Sequence, residues 1–203
     1  MSVEIWVVII VLGLIVFLAL WGMGIYNRLV RSSVRTKEAW SGIRVQLRRR
    51  ASLIPNLVET VGGYATHEKG VFEEVTRARS TLQNASGPAE STSANQMLTA
   101  ALGRLFAVVE NYPELKAASN FQDLQDELSD VEAKIAYARQ FFNRNVAQFN
   151  IRIRSIPDIL IARMLRLERF EFFEEDEDAD EEMRISFASS RGKTPAAIAT
   201  SDE

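Results

Sequence analysis

The side chain best suited to acid–base or metal chemistry in this 203-residue sequence is its single histidine, His67. Histidine can act as a general base or a metal ligand, but zinc hydrolase motifs place two histidines on one helix face. The local sequence is His67-Glu68-Lys69-Gly70, and no second histidine exists. We therefore interpret His67 and Glu68 as polar-network or partner-contact residues at a helix junction, and we predict no catalytic residue, metal or cofactor.

A second group of candidates consists of polar residues inside otherwise apolar segments. They are Gln46, Arg49, Asn56, Gln125, Glu132, Arg139, Asn143 and Asn150. One hypothesis is a polar groove or partner surface. The other, which we favour, is a hydrogen-bond network that fixes helix register, because buried polar groups must be paired.

Carboxylates in a helical bundle raise the possibility of a di-iron enzyme. Such a site needs Glu-x-x-His on each of two helices, which one histidine cannot supply. A carboxylate-only enzyme would require Glu68, Glu132 and Arg139 to converge in one pocket. Because no nucleophile stands beside a base at a known spacing, we predict a non-enzyme with no small-molecule substrate.

Charge is strongly segregated along the chain, although the formal net charge is only −3. Arg28, Arg31, Arg35 and Lys37 lead into a run at 48–50, whereas the segment 168–182 is acidic. Arg48-Arg49-Arg50 could contact phosphates, but an acidic chain tethered to a membrane favours lipid headgroups over nucleic acid. The absence of cysteine excludes disulfides and thiol nucleophiles.

The elements that must position these residues begin with an apolar segment, Ile5–Ile25, which carries no charge. A helix of this length spans about 30 Å, the thickness of the hydrocarbon layer of a bilayer. Trp6, Trp21 and Tyr26 lie near its ends, where interfacial aromatic residues are expected. A secretory signal is disfavoured because Glu4 precedes the run and no cleavage site follows.

The flanking charges predict the orientation of this span. Arg28, Arg31, Arg35 and Lys37 follow it directly, whereas no Lys or Arg precedes it. The positive-inside rule then predicts a single-pass protein of the bacterial inner membrane, with the N-terminus outside and the C-terminal domain cytoplasmic. The same four cations are candidates for contacts with lipid headgroups.

The remaining sequence shows helical periodicity without any strand pattern. One run covers 34–61, with a kink or break expected one turn before Pro55 and a bend at Gly62-Gly63. A second run carries Val71 to Leu82, residues 84–95 have the composition of a loop, and a third helix is predicted over 96–110. Whether the first run continues the membrane helix stays open.

The most regular pattern has apolar residues at alternating spacings of three and four from Phe121 to Phe142, and Phe149 extends this stripe beyond an interruption at Asn145. Ser119 or Asn120 is the predicted N-cap. A short amphipathic helix over 159–167 follows Pro157. We predict an all-α fold: an anchor (1–25), an antiparallel bundle of about four helices (26–167) and an acidic, disordered tail (168–203).

Several ordered motifs resemble the LemA family of bacterial membrane proteins. They include Leu53-Ile54-Pro55-Asn56-Leu57-Val58, Val75-Thr76-Arg77-Ala78-Arg79 and Glu110-Asn111-Tyr112-Pro113, within a match from Tyr26 to about Phe173. The resemblance implies a one-span anchor with an antiparallel bundle, and one branch, MamQ, is associated with magnetosome membranes. The sequence departs from the family at Gly62, where a basic residue is usual, and at Phe142 and Ile156.

These observations lead to two functional hypotheses. The first is a structural or scaffolding protein of the membrane that forms a homo-oligomer or binds a protein partner through its helix faces. The second is a membrane-tethered adaptor in signalling or envelope stress that recruits a partner through the bundle or the acidic tail.

Overall fold

The computed structural model describes residues 3–173, which form six α-helices and contain no strand. The helices are α1 (Val3–Gly62), α2 (Lys69–Asn84), α3 (Gly87–Val109), α4 (Pro113–Lys116), α5 (Ser119–Arg152) and α6 (Asp158–Met164). The prediction of an all-α fold is confirmed, and the four long helices form the bundle.

The first helix joins the apolar span to the bundle without interruption. α1 has 60 residues and is about 90 Å long at the usual helical rise. Its N-terminal part is long and apolar enough to cross a membrane, with a mean hydropathy of 3.0 and no burial within the protein. From Ile25 onward, α1 presents a buried stripe to the rest of the bundle.

α1 also passes through Pro55, so of the kink or break predicted one turn before that residue, the break is wrong. The helix ends at Gly62, in agreement with the glycine pair in the sequence. A proline removes one backbone donor from a helix and leaves the carbonyl one turn earlier without its partner. A side chain from α2 replaces that donor, as described below.

The predicted loop over 84–95 is also mostly helical, because α3 begins at Gly87. The true connection is Ala85-Ser86, after which Gly87 adopts a φ of 83°, a conformation that favours glycine. The Glu90 carboxylate accepts a 2.6 Å hydrogen bond from the Ser86 backbone N–H. The small side chains that resembled a loop allow α3 to pack closely, since Ser91 and Ala94 are buried.

The apolar stripe of α5 faces the core as predicted. Phe121, Leu128, Val131, Ile135 and Phe142 are all buried. The predicted cap is wrong, however: the helix begins at Ser119, its N-cap position is Ala118, and no side-chain cap is formed. Packing of this stripe, rather than capping, therefore holds the start of α5.

α5 runs antiparallel to α1. Near the end of the apolar span, Phe149 and Ile153 form a cluster with Ile25 and Leu29. Farther from it, α5 contributes Val131 to a larger core that also contains α2 and α3 residues. The long helices α1 and α5 thus form a two-helix shaft, with the α2–α3 hairpin packed at the end away from the apolar span.

The bundle extends beyond the predicted boundary at residue 167. Residues 168–173 form an extended segment that packs back onto the shaft, and Phe173 is fully buried. The charge pattern of the sequence placed these residues in the acidic tail, although the segment also contains aromatic residues. The remaining tail, 174–203, lies outside the described residues.

Candidate functional site

Arg50 forms a buried ionic network where α1, α3 and α5 meet. Its guanidinium donates a hydrogen bond to Asn95 Oδ1 and forms an ion pair, 2.9 Å long, with Glu132 Oε2. Only 6% of the Arg50 side chain is exposed, against 50% for Glu132. Burial lowers the pKa of Arg50, and the nearby Glu132 carboxylate partly opposes that effect.

This network can fix the register of three helices. Arginine remains protonated in proteins, so its buried charge needs both an ionic partner and neutral acceptors. Asn95 is itself buried, and any shift of α3 along α1 would separate these two side chains. From the sequence, Arg50 was considered only as part of a run that could contact phosphates, although its spacing from Ile43, Leu47 and Ile54 would have placed it on the buried stripe.

Arg49, the preceding residue of α1, forms an exposed ion pair with the same helix α5. Its guanidinium is 2.9 Å from Glu127 and 4.0 Å from Asp130, all on the outer surface of the shaft. Lys134 donates a 2.7 Å hydrogen bond to Asp130. That bond, with smaller contributions from the charges of Lys134 and Arg49, lowers the pKa of Asp130.

Arg79 repairs the hydrogen-bond defect that Pro55 creates in α1. Pro55 has no N–H to donate to the Ala51 carbonyl, four residues earlier. The Arg79 Nε of α2 donates to that same carbonyl oxygen at 2.9 Å. The interaction explains why α1 continues past the proline, and it connects α2 to α1.

Asn143 and Asn150 hold the extended segment 168–173 against α5. The amide of Asn143 donates to the Phe173 carbonyl at 2.9 Å and accepts from the Phe173 N–H at 3.0 Å. Asn150 makes the same pair of bonds with Phe170, at 2.9 and 3.0 Å. Each asparagine side chain thus pairs with both backbone groups of one residue of the segment, as a neighbouring β-strand would. We call Asn143 and Asn150, which lie two helical turns apart on α5, the asparagine clamp.

Aromatic contacts anchor the clamped segment. The Phe170 ring packs edge-on against Phe149 with centroids 4.9 Å apart. The Phe173 ring lies 6.0 Å from Trp40 of α1, which also contacts Phe142 at 5.5 Å. The segment therefore contacts both helices of the shaft through side chains and α5 through its backbone.

The structure does not gather the predicted polar residues into one groove. Glu132, Asn143 and Asn150 make the contacts described above, and Arg49 pairs on the surface. The Gln46 Oε1 atom is buried without a hydrogen-bond partner among the described residues. Asn56, His67 and Gln125 are exposed, and Glu68 and Arg139 are half-buried.

The arginine run is likewise divided among three environments. Arg50 is buried, Arg49 is paired, and Arg48 lines a cleft of about 340 Å³ with Arg44 and the α2–α3 connection. The four cations after the span, Arg28, Arg31, Arg35 and Lys37, are exposed on α1.

Neither of the two clefts that we describe in this protein is lined by Glu68, Glu132 or Arg139. Within residues 3–173, no three His, Asp or Glu side chains come together in a way that could hold a metal ion. The arrangement of the described polar residues is that of helix-to-helix and helix-to-segment contacts.

The chain has an apolar helix able to cross a membrane, and the same helix continues into a bundle that contains a buried ion pair. These features are those of a membrane-associated helical-bundle protein. The LemA family model matches residues 39–187, which is most of the chain, and the chain belongs to that family. LemA and MamQ proteins are not known as enzyme families.

The similar proteins come from bacteria. Magnetosome protein MamQ of Magnetospirillum gryphiswaldense is 28% identical, over 88% of this chain and 75% of its own length. Magnetosome protein MamQ 2 of Paramagnetospirillum magneticum is 28% identical over 85% of this chain and 73% of its own length. Protein LemA of Metamycoplasma hominis is 26% identical over 76% of this chain and 71% of its own length.

Proposed function

We propose that this protein is a structural element of the bacterial inner membrane, which holds a rigid helical shaft at the cytoplasmic surface for assembly with copies of itself or with a protein partner. The observation that carries this proposal is the continuity of α1 from Val3 to Gly62. Because anchor and bundle share one helix, a contact made by the bundle is held at a set distance from the bilayer. The magnetosome names of the MamQ relatives support a role in organising a membrane.

The proposed topology follows from the charges at the end of the span. Arg28, Arg31, Arg35 and Lys37 favour the cytoplasmic side, where anionic headgroups attract each nearby cation by roughly 1 kcal/mol. The native chain has no cysteine. Single variants Ser2→Cys and Val45→Cys can therefore be labelled with a membrane-impermeant maleimide in intact cells. We expect labelling at position 2 only; labelling at 45 alone would reverse the topology.

An exposed apolar stripe on α1 supports assembly next to the membrane. Tyr26, Val30 and Val34 recur every four residues directly after the span, and 45%, 39% and 46% of their surfaces are exposed. Tyr137 and Phe141 form a similar exposed pair on α5. Such faces are suited to helix–helix contacts between bundles.

The mass of the full-length protein in lipid nanodiscs tests the proposal. We expect a discrete homo-oligomer that the double variant Val30→Asn/Val34→Asn reduces to smaller species. Val45→Asn is the matched control, since Val45 is an exposed valine on the same helix, about three turns beyond Val34. A monomer that also captures no protein from its native membrane would contradict the structural proposal.

The clamped segment supports a second candidate, the membrane-tethered adaptor. The asparagine clamp fixes the chain at Phe173, directly before the acidic run that starts at Glu174. A basic partner recruited by that run would be drawn to the shaft. Deleting residues 174–203 should then remove specific proteins from those co-purified with the full-length chain, and an unchanged set would argue against the adaptor.

A further inference from the structure

The turn after α5 and the helix α6 pack against α1 where the apolar span ends. Ile153 of the turn and Ala162 of α6 share a buried cluster with Ile25 and Leu29 of α1. Ile25 is only 5% exposed and Leu29 is fully buried. The last residue of the span is therefore covered by protein.

The position of this cluster along α1 sets its depth. The span Ile5–Ile25 matches the hydrocarbon layer, and the headgroup zone on each side adds about 5–7 Å. Leu29 lies four residues beyond Ile25, which is about 6 Å along a helix. Elements that pack on both residues consequently lie at the level of the headgroups.

At this level the protein exposes large apolar side chains. They are Ile151 (64% exposed), Ile156 (87%), Leu160 (66%) and Met164 (73%). Leu160 and Met164 are one turn apart on α6, and Ala162, midway between them in sequence, points into the protein. α6 is thus amphipathic, with its second apolar face unpartnered by any described residue.

Arginines accompany these residues. Arg154, Arg163 and Arg166 are exposed within the same stretch of chain. Arg154 and Arg169 also flank an open recess of about 450 Å³, whose lining includes Ile151 and Phe172. Apolar side chains bordered by arginines are suited to the surface of a bilayer, where the apolar groups contact hydrocarbon and the arginines contact lipid phosphates.

We infer that this region, the membrane-proximal collar, is a second membrane contact that inserts its apolar side chains among anionic headgroups beside the anchor. The collar comprises Ile151, Ile156, Leu160 and Met164 with Arg154, Arg163 and Arg166. Its depth and its arginines favour lipid over protein as the occupant. A collar inserted among the headgroups would restrict tilting of the shaft, because the protein then contacts the bilayer at two places. The inference depends on the anchor alone and not on the proposed structural role.

Depth-dependent fluorescence quenching tests this contact in the full-length protein. Ile156→Cys and Leu160→Cys, labelled with an environment-sensitive dye, are placed in nanodiscs of phosphatidylcholine and phosphatidylglycerol containing brominated lipid. Val45→Cys serves as the water-exposed control, since it lies about 30 Å beyond the span on the same helix. Leu18→Cys, within the span, serves as the lipid control. Circular dichroism checks that each variant keeps the native helix content.

We expect blue-shifted emission and bromolipid quenching at 156 and 160, but not at 45. Replacing phosphatidylglycerol by phosphatidylcholine should weaken the quenching at 160, and Arg163→Gln/Arg166→Gln should remove that lipid dependence. Water-like emission at 156 and 160, with normal quenching at 18, would overturn the inference while leaving the anchor intact. Blue-shifted emission without quenching would also overturn it, because it would place a protein on the collar.

Discussion

At the scale of single residues, Arg49 and Arg50 show how neighbouring positions acquire different roles. Both are arginines in one run, and both pair with a carboxylate of α5 at 2.9 Å. The Arg49 side chain is 44% exposed, whereas that of Arg50 is 6% exposed. Solvent screens the first pair, so only the second should contribute substantially to stability.

We therefore expect Arg50→Ala to destabilise the bundle by about 2–4 kcal/mol, because it leaves a cavity and removes the partner of the buried Asn95. Arg49→Ala, the matched control, should cost less than about 1 kcal/mol. Thermal unfolding in detergent, followed by circular dichroism, measures both. Equal effects of the two variants would contradict a special role for Arg50.

The asparagine clamp yields a prediction that depends on pH. Asn143→Asp keeps the acceptor for the Phe173 N–H but sets a second oxygen against the Phe173 carbonyl. The ionised form is disfavoured in the folded state, so the pKa of the new carboxyl lies above its unfolded value of about 3.9. The penalty is absent below that pH and grows as pH rises through the folded pKa, to about 1–2 kcal/mol at neutral pH.

Unfolding temperatures at neutral and acidic pH, each relative to the native chain, measure this penalty. Asn145→Asp is the control, because Asn145 bonds only to the Phe141 carbonyl of its own helix and holds no other segment. A deficit for Asn143→Asp that does not shrink on acidification would contradict the clamp geometry.

At the scale of helices, the passage of α1 through Pro55 depends on a neighbouring element. Arg79 supplies the hydrogen bond that the proline cannot, so the two residues should be energetically coupled although they do not bond to each other. α3 illustrates a related effect, because packing makes a helix from residues whose composition is typical of a loop.

A double-mutant cycle tests the coupling. In the native chain, Arg79→Ala leaves the Ala51 carbonyl unpaired and should cost about 1.5–3 kcal/mol. In a Pro55→Ala background the residue at 55 regains its N–H, so the same change at Arg79 should cost about 1 kcal/mol less. Additive effects in the unfolding measurements would mean that Arg79 stabilises α1 in some other way.

At the scale of the whole molecule, the contacts of residues 168–173 decide what belongs to the bundle. Phe170 and Phe173 complete the aromatic contacts of Phe149 and Trp40. We expect deletion of 174–203 to leave the unfolding temperature nearly unchanged, whereas deletion of 168–203 should lower it by several degrees through the loss of the buried Phe173 and the partly buried Phe170.

Comparison of the two truncated proteins by circular dichroism measures the difference. Helix content should be the same in both, because the extended segment is not helical. Equal unfolding temperatures would place the functional boundary of the bundle near residue 167, as the charge pattern suggested.

Local periodicity and an ordered series of motifs were enough to predict the apolar span, the all-α class, the seam of α5 and the resemblance to the LemA family. Tertiary structure alone decided the fate of Pro55, the helical state of 87–95, the burial of Arg50 and the docking of 168–173. Those outcomes depend on partners far away in sequence, such as Arg79, Asn95 and the asparagine clamp. Local pattern reports which face of a helix is apolar, but not which distant polar group will satisfy a buried charge or an unpaired carbonyl.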